Sequence, residues 1–366
     1  MKISAVVLPS LVLVLIFTAS SAFGAPSDNK IKIGVITSLS GDAASIGTAI
    51  KNGLTLAFDK MPREVRDRIE LNFEDDALDP KKTIAAYNKL ISTEDIDILV
   101  TSSSGTSKAI APINEQHGLP MIAIATAPEI VANRRHVVNF WVTPEEEVRV
   151  LLPEAERRGY KQIARLVTTH EFPISVKQKF DEQNRGRIRV VLDEEYPPDI
   201  KDFKPYITKL KVQQSKTDGV LLILMPGQLG VFAKEARQAG ITIPLFGLET
   251  FEDGDEVKSS NGALIGQWYV NGDDPNGSFL TEYRSKFKDA SIFGAPNAHD
   301  IMMLIAAAVQ GSGTAGNYRE RINDFLHSVK NFSGALGSYS ASGDNRFTLP
   351  AAVKIVTANG FEKYTR

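Results

Sequence analysis

Residues 97–129 read DILVTSSSGTSKAIAPINEQHGLPMIAIATAPE, and the alternation inside this stretch sets the fold class. The apolar run 97–101 has the composition of a buried strand. A hydroxyl-rich turn, Ser102, Ser103, Ser104, Gly105 and Thr106, follows it, and a helical stretch runs on to 116. A second apolar run, 120–124, ends in another turn of small residues, Ala125, Thr126, Ala127, Pro128 and Glu129. Strand, helix and strand in this order make neighbouring parallel strands joined by a right-handed crossover.

The same rhythm extends in both directions. Upstream, 31–37 is strand-like, and Ile46, Ala49, Ile50, Leu54, Ala57 and Phe58 then fall at helical spacing. A strand at 69–75 precedes Pro80, which opens a helix with Ile84, Tyr87 and Ile91 on one stripe. Downstream, the alternation restarts after Thr143 and Pro144. Helices are predicted at 145–158, 174–183, 202–214 and 229–239, and strands at 162–167, 188–194, 219–224 and 244–248. Residues 277–330 are helix-rich, with a turn at 311–316, and are expected to return to the first half; a strand at 351–357 closes on the second. The predicted fold class is α/β, with two doubly wound parallel-sheet lobes joined by short extended crossings, since no low-complexity linker interrupts the chain.

Composition narrows the partners. The 366 residues are 43% hydrophobic, enough for one large or two medium cores. Lysine and arginine total 42 against 44 acidic residues, a net charge of −2, so no basic field gathers nucleic acid or anionic lipid. A small neutral or zwitterionic partner fits better. The first 24 residues carry Lys2 as their sole charge, an apolar stretch and then small residues, the pattern of a secretory signal peptide, with an uncleaved anchor as the alternative. Pro9 and Ser10 interrupt the apolar stretch, which argues against a spanning helix. Cysteine is absent, which excludes disulfides, thiolate metal sites and an N-terminal lipid anchor. A freely diffusing exported protein needs an outer barrier to retain it, so the expected location is the periplasm.

In open parallel sheets, ligands bind beyond the carboxyl ends of strands. The turns after 101 and after 124 are therefore candidate sites, each able to offer amides and hydroxyls to a carboxylate; the alternative is a helix N-cap followed by a solvated turn. Glu249 after the strand 244–248 reads either as the counter-charge for a buried ammonium group or as an exposed loop carboxylate. Enzymatic signatures are missing: there is no phosphate loop, no His-Glu-x-x-His and no Gly-x-Ser-x-Gly elbow. The histidines 117, 136, 170, 299 and 327 are too scattered to suggest a metal set, and His299 with Asp300 reads more readily as a polar pair near a helix N-terminus than as a catalytic pair. No cofactor is expected.

The chain resembles the type I periplasmic solute-binding proteins, specifically the leucine, isoleucine and valine binding family of ABC importers. The resemblance covers essentially all of the chain after residue 24. It is carried by 31–47 with Leu39, Ser40 and Gly41; by Asp75, Asp76, Ala77, Leu78, Asp79 and Pro80; by Ala125 to Glu129; and by Ala236, Arg237, Gln238, Ala239 and Gly240. It implies three hinge crossings, near 141–144, 270–272 and 345–349, which divide the chain into a first lobe of 25–143 plus 272–345 and a second of 144–271 plus 346–366. It also implies that Ser104 and Thr126 receive a ligand carboxylate, and that the Ile124 carbonyl, the Thr126 hydroxyl and Glu249 meet an ammonium group. Ser102, Ser103, Ala125, Ile46, Phe172 and Met225 would line the rest of the pocket, with His299 at its rim. Met225 and Ile46 stand where relatives often carry aromatic hydroxyls, so the pocket should be less polar there. The implied function is capture of a small amino acid, branched-chain or otherwise apolar or aromatic, by a monomer that delivers it to ABC permease subunits in the inner membrane. A ligand-sensing subunit for a chemoreceptor or sensor kinase is the alternative; a secreted hydrolase lacks an indicated nucleophile and base.

Overall fold

The computed structural model describes residues 30–200, 202–310 and 318–364; the signal segment expected at 1–24 and the turn expected at 311–316 lie outside them. In chain order the first part contains β1 (Ile31–Thr37), α1 (Ala44–Lys60), α2 (Arg63–Arg66), β2 (Ile69–Asp75), α3 (Pro80–Lys89), β3 (Ile98–Ser102), α4 (Ser104–His117), β4 (Met121–Ile124) and β5 (Val137–Asn139). These strands form a five-stranded sheet of order β2-β1-β3-β4-β5, parallel throughout.

The chain then crosses to α5 (Pro144–Arg157), β6 (Gln162–Thr168), α6 (Glu171–Asn184), β7 (Arg189–Tyr196), α7 (Lys204–Gln213), β8 (Gly219–Ile223), α8 (Leu229–Gln238), β9 (Leu245–Gly247), α9 (Gly254–Ser259) and β10 (Trp268–Gly272). It returns to the first lobe as α10 (Gly277–Phe287), α11 (Ala295–Gln310), α12 (Tyr318–Ser328) and the hairpin β11 (Phe332–Gly334) and β12 (Gly337–Tyr339). A third crossing leads to β13 (Ala351–Thr357) and β14 (Gly360–Lys363). The second sheet has the order β14-β13-β10-β9-β8-β6-β7.

Its strands β6 to β10 pair in parallel, as expected, while β13 pairs antiparallel with both β10 and β14 at one edge. The reason is topological. β10 leaves the second sheet toward the first lobe and β13 comes back from that lobe, with α10, α11 and α12 between them packed on the first lobe, so the two run in opposite directions.

Each sheet is buried on both faces, as near-continuous apolar strands require. In the first lobe α1, α11 and α12 cover one face and α3 and α4 the other. Helices α1 and α11 approach so closely that a Cβ on Gly53 would overlap the Ala295 carbonyl, and this contact ties the C-terminal return segment to the first sheet. In the second lobe one core lies under α7 and α8 and the other under α5 and α6.

The lobes touch on both sides of the cleft between them. Ser45 Oγ donates to Asp253 Oδ1 at 3.2 Å, Lys108 pairs with Glu171 at 3.8 Å, and His170 packs against Gly105. At the crossings, Arg346 bonds Glu145 at 3.0 Å and Phe140 meets Phe347 edge-on at 4.8 Å.

One buried charge network fixes β13 in the second sheet. Lys354, 2% exposed, donates to both Glu252 oxygens at 3.0 Å and pairs with Asp274 at 2.9 Å. Glu252 also accepts from the Asn271 amide at 2.9 Å and the Tyr269 hydroxyl at 3.2 Å. Removing one member of such a pair leaves the other charge buried and uncompensated. Lys354→Met is therefore expected to lower unfolding free energy by about 3–5 kcal/mol, measured by urea denaturation of the full chain.

Candidate functional site

The cleft holds a cavity of about 680 Å³, counting its open mouth, between the carboxyl ends of β1, β3 and β4 on one side and of β6, β8 and β9 on the other. Ten of the residues singled out in the sequence line it: Ile46, Ser102, Ser103, Ser104, Ile124, Ala125, Thr126, Phe172, Met225 and Glu249.

The first-lobe wall is built from the turns after the strands. Helix α4 begins at Ser104, two residues earlier than its apolar spacing suggests, and Ser102 is the last residue of β3. Between them Ser103 adopts φ of 70°, a left-handed conformation that costs a non-glycine residue free energy and concentrates at functional turns. The Ser103 amide donates to the Ile124 carbonyl at 3.1 Å, which locks the two turns side by side. Ser104 Oγ accepts from the Thr126 amide at 3.3 Å and the Ala127 amide at 3.2 Å, and lies 3.4 Å from Thr126 Oγ1. Ser102 is engaged differently: its hydroxyl meets Thr37 Oγ1 of β1 at 2.8 Å.

The Asp75-Asp76-Ala77-Leu78 segment shapes the mouth. Asp75 Oδ1 accepts from the amides of Leu39 (2.8 Å) and Ala77 (2.9 Å), while Asp76 accepts from Ser38 Oγ (2.8 Å), the Leu78 amide (3.0 Å) and Thr83 Oγ1 (3.0 Å). Two carboxylates thus gather the loops after β1 and β2 and bring Ser38 and Leu78 to the cavity. Gly47, in the first turns of α1, sits against the Ser38 backbone, where a Cβ would overlap the carbonyl.

From the second lobe, Phe172 enters on the first turn of α6, which starts at Glu171, ahead of the predicted 174. Met225 follows β8, its amide held by Gln228 Oε1 at 3.1 Å. Glu249 opens a short 3₁₀ turn after β9 and is half-buried in the cleft wall. Burial pushes its carboxyl up to about 8, against the hydrogen bond from Trp141 and reinforced by the nearby Glu252 charge. Trp141 Nε1 donates to Glu249 Oε2 at 2.5 Å. Close by, Glu147 on α5 is fully buried with neither carboxyl oxygen hydrogen-bonded among the described residues, and its pKa is well raised by burial and by Glu249.

Among the described residues no lysine, arginine or histidine lines this cavity, and Glu249 is its single ionisable lining residue. A negative ligand group must therefore be met by amides and hydroxyls, and a positive one by Glu249. Among the described residues no group of three or more histidine, aspartate or glutamate side chains is arranged to hold a metal ion.

The rim position expected for His299 is corrected. His299 lies on another face of α11, in a separate depression with Phe279 and Met303; its ring stands edge-on to Phe279 at 5.2 Å, and Nδ1 is 3.0 Å from Asp300 Oδ1. Asp300 is committed to structure, since it accepts the Ala335 amide at 2.6 Å and the Leu336 amide at 3.0 Å. Sequence reading missed Trp141 as a site residue, having placed it only at a crossing, and missed Phe293 and Gly294. The latter two come from the loop before α11, far from the strand ends in sequence, and carry no local signal.

Comparisons with known proteins agree with this architecture. The Leu/Ile/Val-binding protein homolog 3 of Brucella melitensis is 22% identical over 357 residues, covering 90% of this chain and 92% of that protein. A solved leucine-binding protein from Thermotoga maritima superposes with a TM-score of 0.84 at 18% identity, over 92% of this chain and 98% of that one. A solute-binding protein of an ABC transporter from Rhodopseudomonas palustris, solved with benzoate, gives 0.81 at 21% identity, over 91% and 95%. The profile of the periplasmic binding protein family matches residues 30–360, and the chain belongs to that family.

Proposed function

We propose that the protein captures a small amino acid with an apolar side chain between its lobes and presents the closed form to ABC permease subunits. The observation that carries this reading is the pairing of one acid with cation-free walls: Glu249 faces a cavity whose opposite side offers the Ser104 and Thr126 hydroxyls and the start of helix α4. A zwitterion needs both ends met when water is excluded, because an unpaired charge in a closed cleft is costly. The Ile46, Leu78, Phe172, Met225 and Phe293 side chains then receive an apolar side chain. The protein acts as a binding protein with no chemical step, as a monomer in the periplasm after export through a cleaved signal segment.

A second reading takes an aromatic carboxylate as ligand. Its support is the raised proton affinity of Glu249, which makes a neutral hydrogen-bond donor available near pH 7, in a cavity rich in apolar wall. The two readings differ in sign. An ammonium ligand favours the ionised Glu249, so its binding expels a proton below pH 8, and affinity for leucine is expected to rise from pH 6 toward a plateau near 8, by at most about tenfold per unit. An aromatic carboxylate that uses the protonated acid loses affinity over the same range. The empty folded protein itself should lose stability as pH rises from the ordinary carboxyl value of 4.5 toward 8, because the unfolded chain ionises first.

Three measurements test the reading. A thermal-shift series with leucine, isoleucine, valine and benzoate should raise the melting temperature with the amino acids. Glu249→Ala should weaken leucine binding by about 3–5 kcal/mol in calorimetry, and unchanged affinity removes the ammonium site. Gly105→Val should obstruct closure, since a Cβ there would lie 2.5 Å from His170 Nε2; small-angle scattering should then show the ligand-saturated variant as extended as the empty protein.

A further inference from the structure

Trp141 occupies an unusual junction. It lies on the first crossing between β5 and α5, is 8% exposed, and stands between two depressions: the ligand cleft and a second crevice lined by Glu252, Asn271, Asn297 and Lys354. Its ring packs edge-on against Phe293 at 5.4 Å, on the loop returning before α11. Its indole N–H reaches Glu249 on the second lobe. One side chain therefore touches the crossing, the first-lobe return loop and the acid of the second-lobe wall.

The surroundings of Glu249 make this contact decisive. Facing it are Glu147 from α5 and Glu252 from its own 3₁₀ turn. The charge of Glu252 is engaged by Lys354 of β13, which is shared with Asp274. Asp253, next along the chain, accepts from Ser45 and from the Asp255 amide. The Trp141 indole is the single hydrogen-bond donor to the Glu249 carboxyl among the described residues. An indole N–H donates and never accepts, so it favours the ionised acid over the protonated one.

We propose that Trp141 is a positioning residue for the ammonium site: its N–H holds the Glu249 carboxylate as an acceptor facing the cleft, and its seat on the crossing ties that orientation to the closed arrangement of the lobes. The inference rests on the amino-acid reading above, and it assigns to the crossing a part in ligand recognition besides that of a hinge. Phenylalanine preserves the ring and its packing while deleting the donor, so a role in packing alone and a role through the N–H give different results.

The test uses the full chain with leucine as probe. Trp141→Phe should bind leucine about tenfold or more weakly at pH 7, with the loss shrinking as pH rises to 9, because Glu249 then ionises without the indole. An affinity and pH profile equal to those of the wild-type protein overturns the proposal. A second measurement needs no variant at Trp141. The chain has two tryptophans, so two indole N–H resonances appear in the nitrogen–proton spectrum. One should titrate near pH 8 in the ligand-free protein and cease to titrate in Glu249→Gln; two indole signals indifferent to that substitution overturn the proposal as well. If leucine fails to bind the wild-type protein while one indole still titrates with Glu249, the amino-acid reading falls, and with it the ammonium role of Trp141, whereas the contact itself stands.

Discussion

The structure around the cleft is organised by one electrostatic constraint: a carboxyl group is enclosed where no cation accompanies it. Glu249 and Glu147 both lie at the meeting of the lobes, and among the described residues no lysine, arginine or histidine lines the cavity. In a low-dielectric enclosure such groups keep protons, or take a positive partner from outside, or remain hydrated by an open cleft. Closure and the charge of the contents are thereby linked, and the Trp141 N–H is the one fixed dipole that tips the balance toward the ionised form.

The opposite wall follows from how parallel sheets end. Strands β3 and β4 finish side by side, so the turns after them lie in contact and the Ser103 amide can bond the Ile124 carbonyl. Ser104 then accepts two amides of the neighbouring turn. The turns are thereby held at fixed positions before any ligand arrives, which lowers the ordering cost of recognition. Asp75 and Asp76 perform the equivalent service for the loops after β1 and β2, with their charges spent on backbone amides and hydroxyls instead of on the ligand.

Much of this was legible in the chain because it rests on local rules. The alternation of apolar strand and amphipathic helix is a matter of period, and strand ends in such sheets have a known relation to ligands. Hydroxyl-rich turns after β3 and β4 could therefore be named from composition. What escaped reading has no local signature. The three-residue strands β5, β11 and β12 are too short for a period to register, β9 of equal length being legible only through the apolar run around it, and α9 is a six-residue turn of helix. The antiparallel sense of β13 depends on which end of the sheet the chain re-enters, a property of the path and not of residues 351–357. Phe293 and Gly294 reach the cavity only because α11 packs on α1, a contact between segments more than 230 residues apart. His299 was misplaced for a different reason: the resemblance alone implied its rim position, and α11 turns that side chain toward Phe279 and Met303.

The late position of β13 bears on how the molecule is made. That strand sits between β10 and β14 near the end of the chain, and α11, which covers the first sheet, also belongs to the last third. Neither hydrophobic interior can be sealed while the polypeptide is still emerging from the ribosome, since each waits for segments not yet synthesised. Contacts of such long sequence separation are slow to form. Each core thus stays incomplete until these late segments join it.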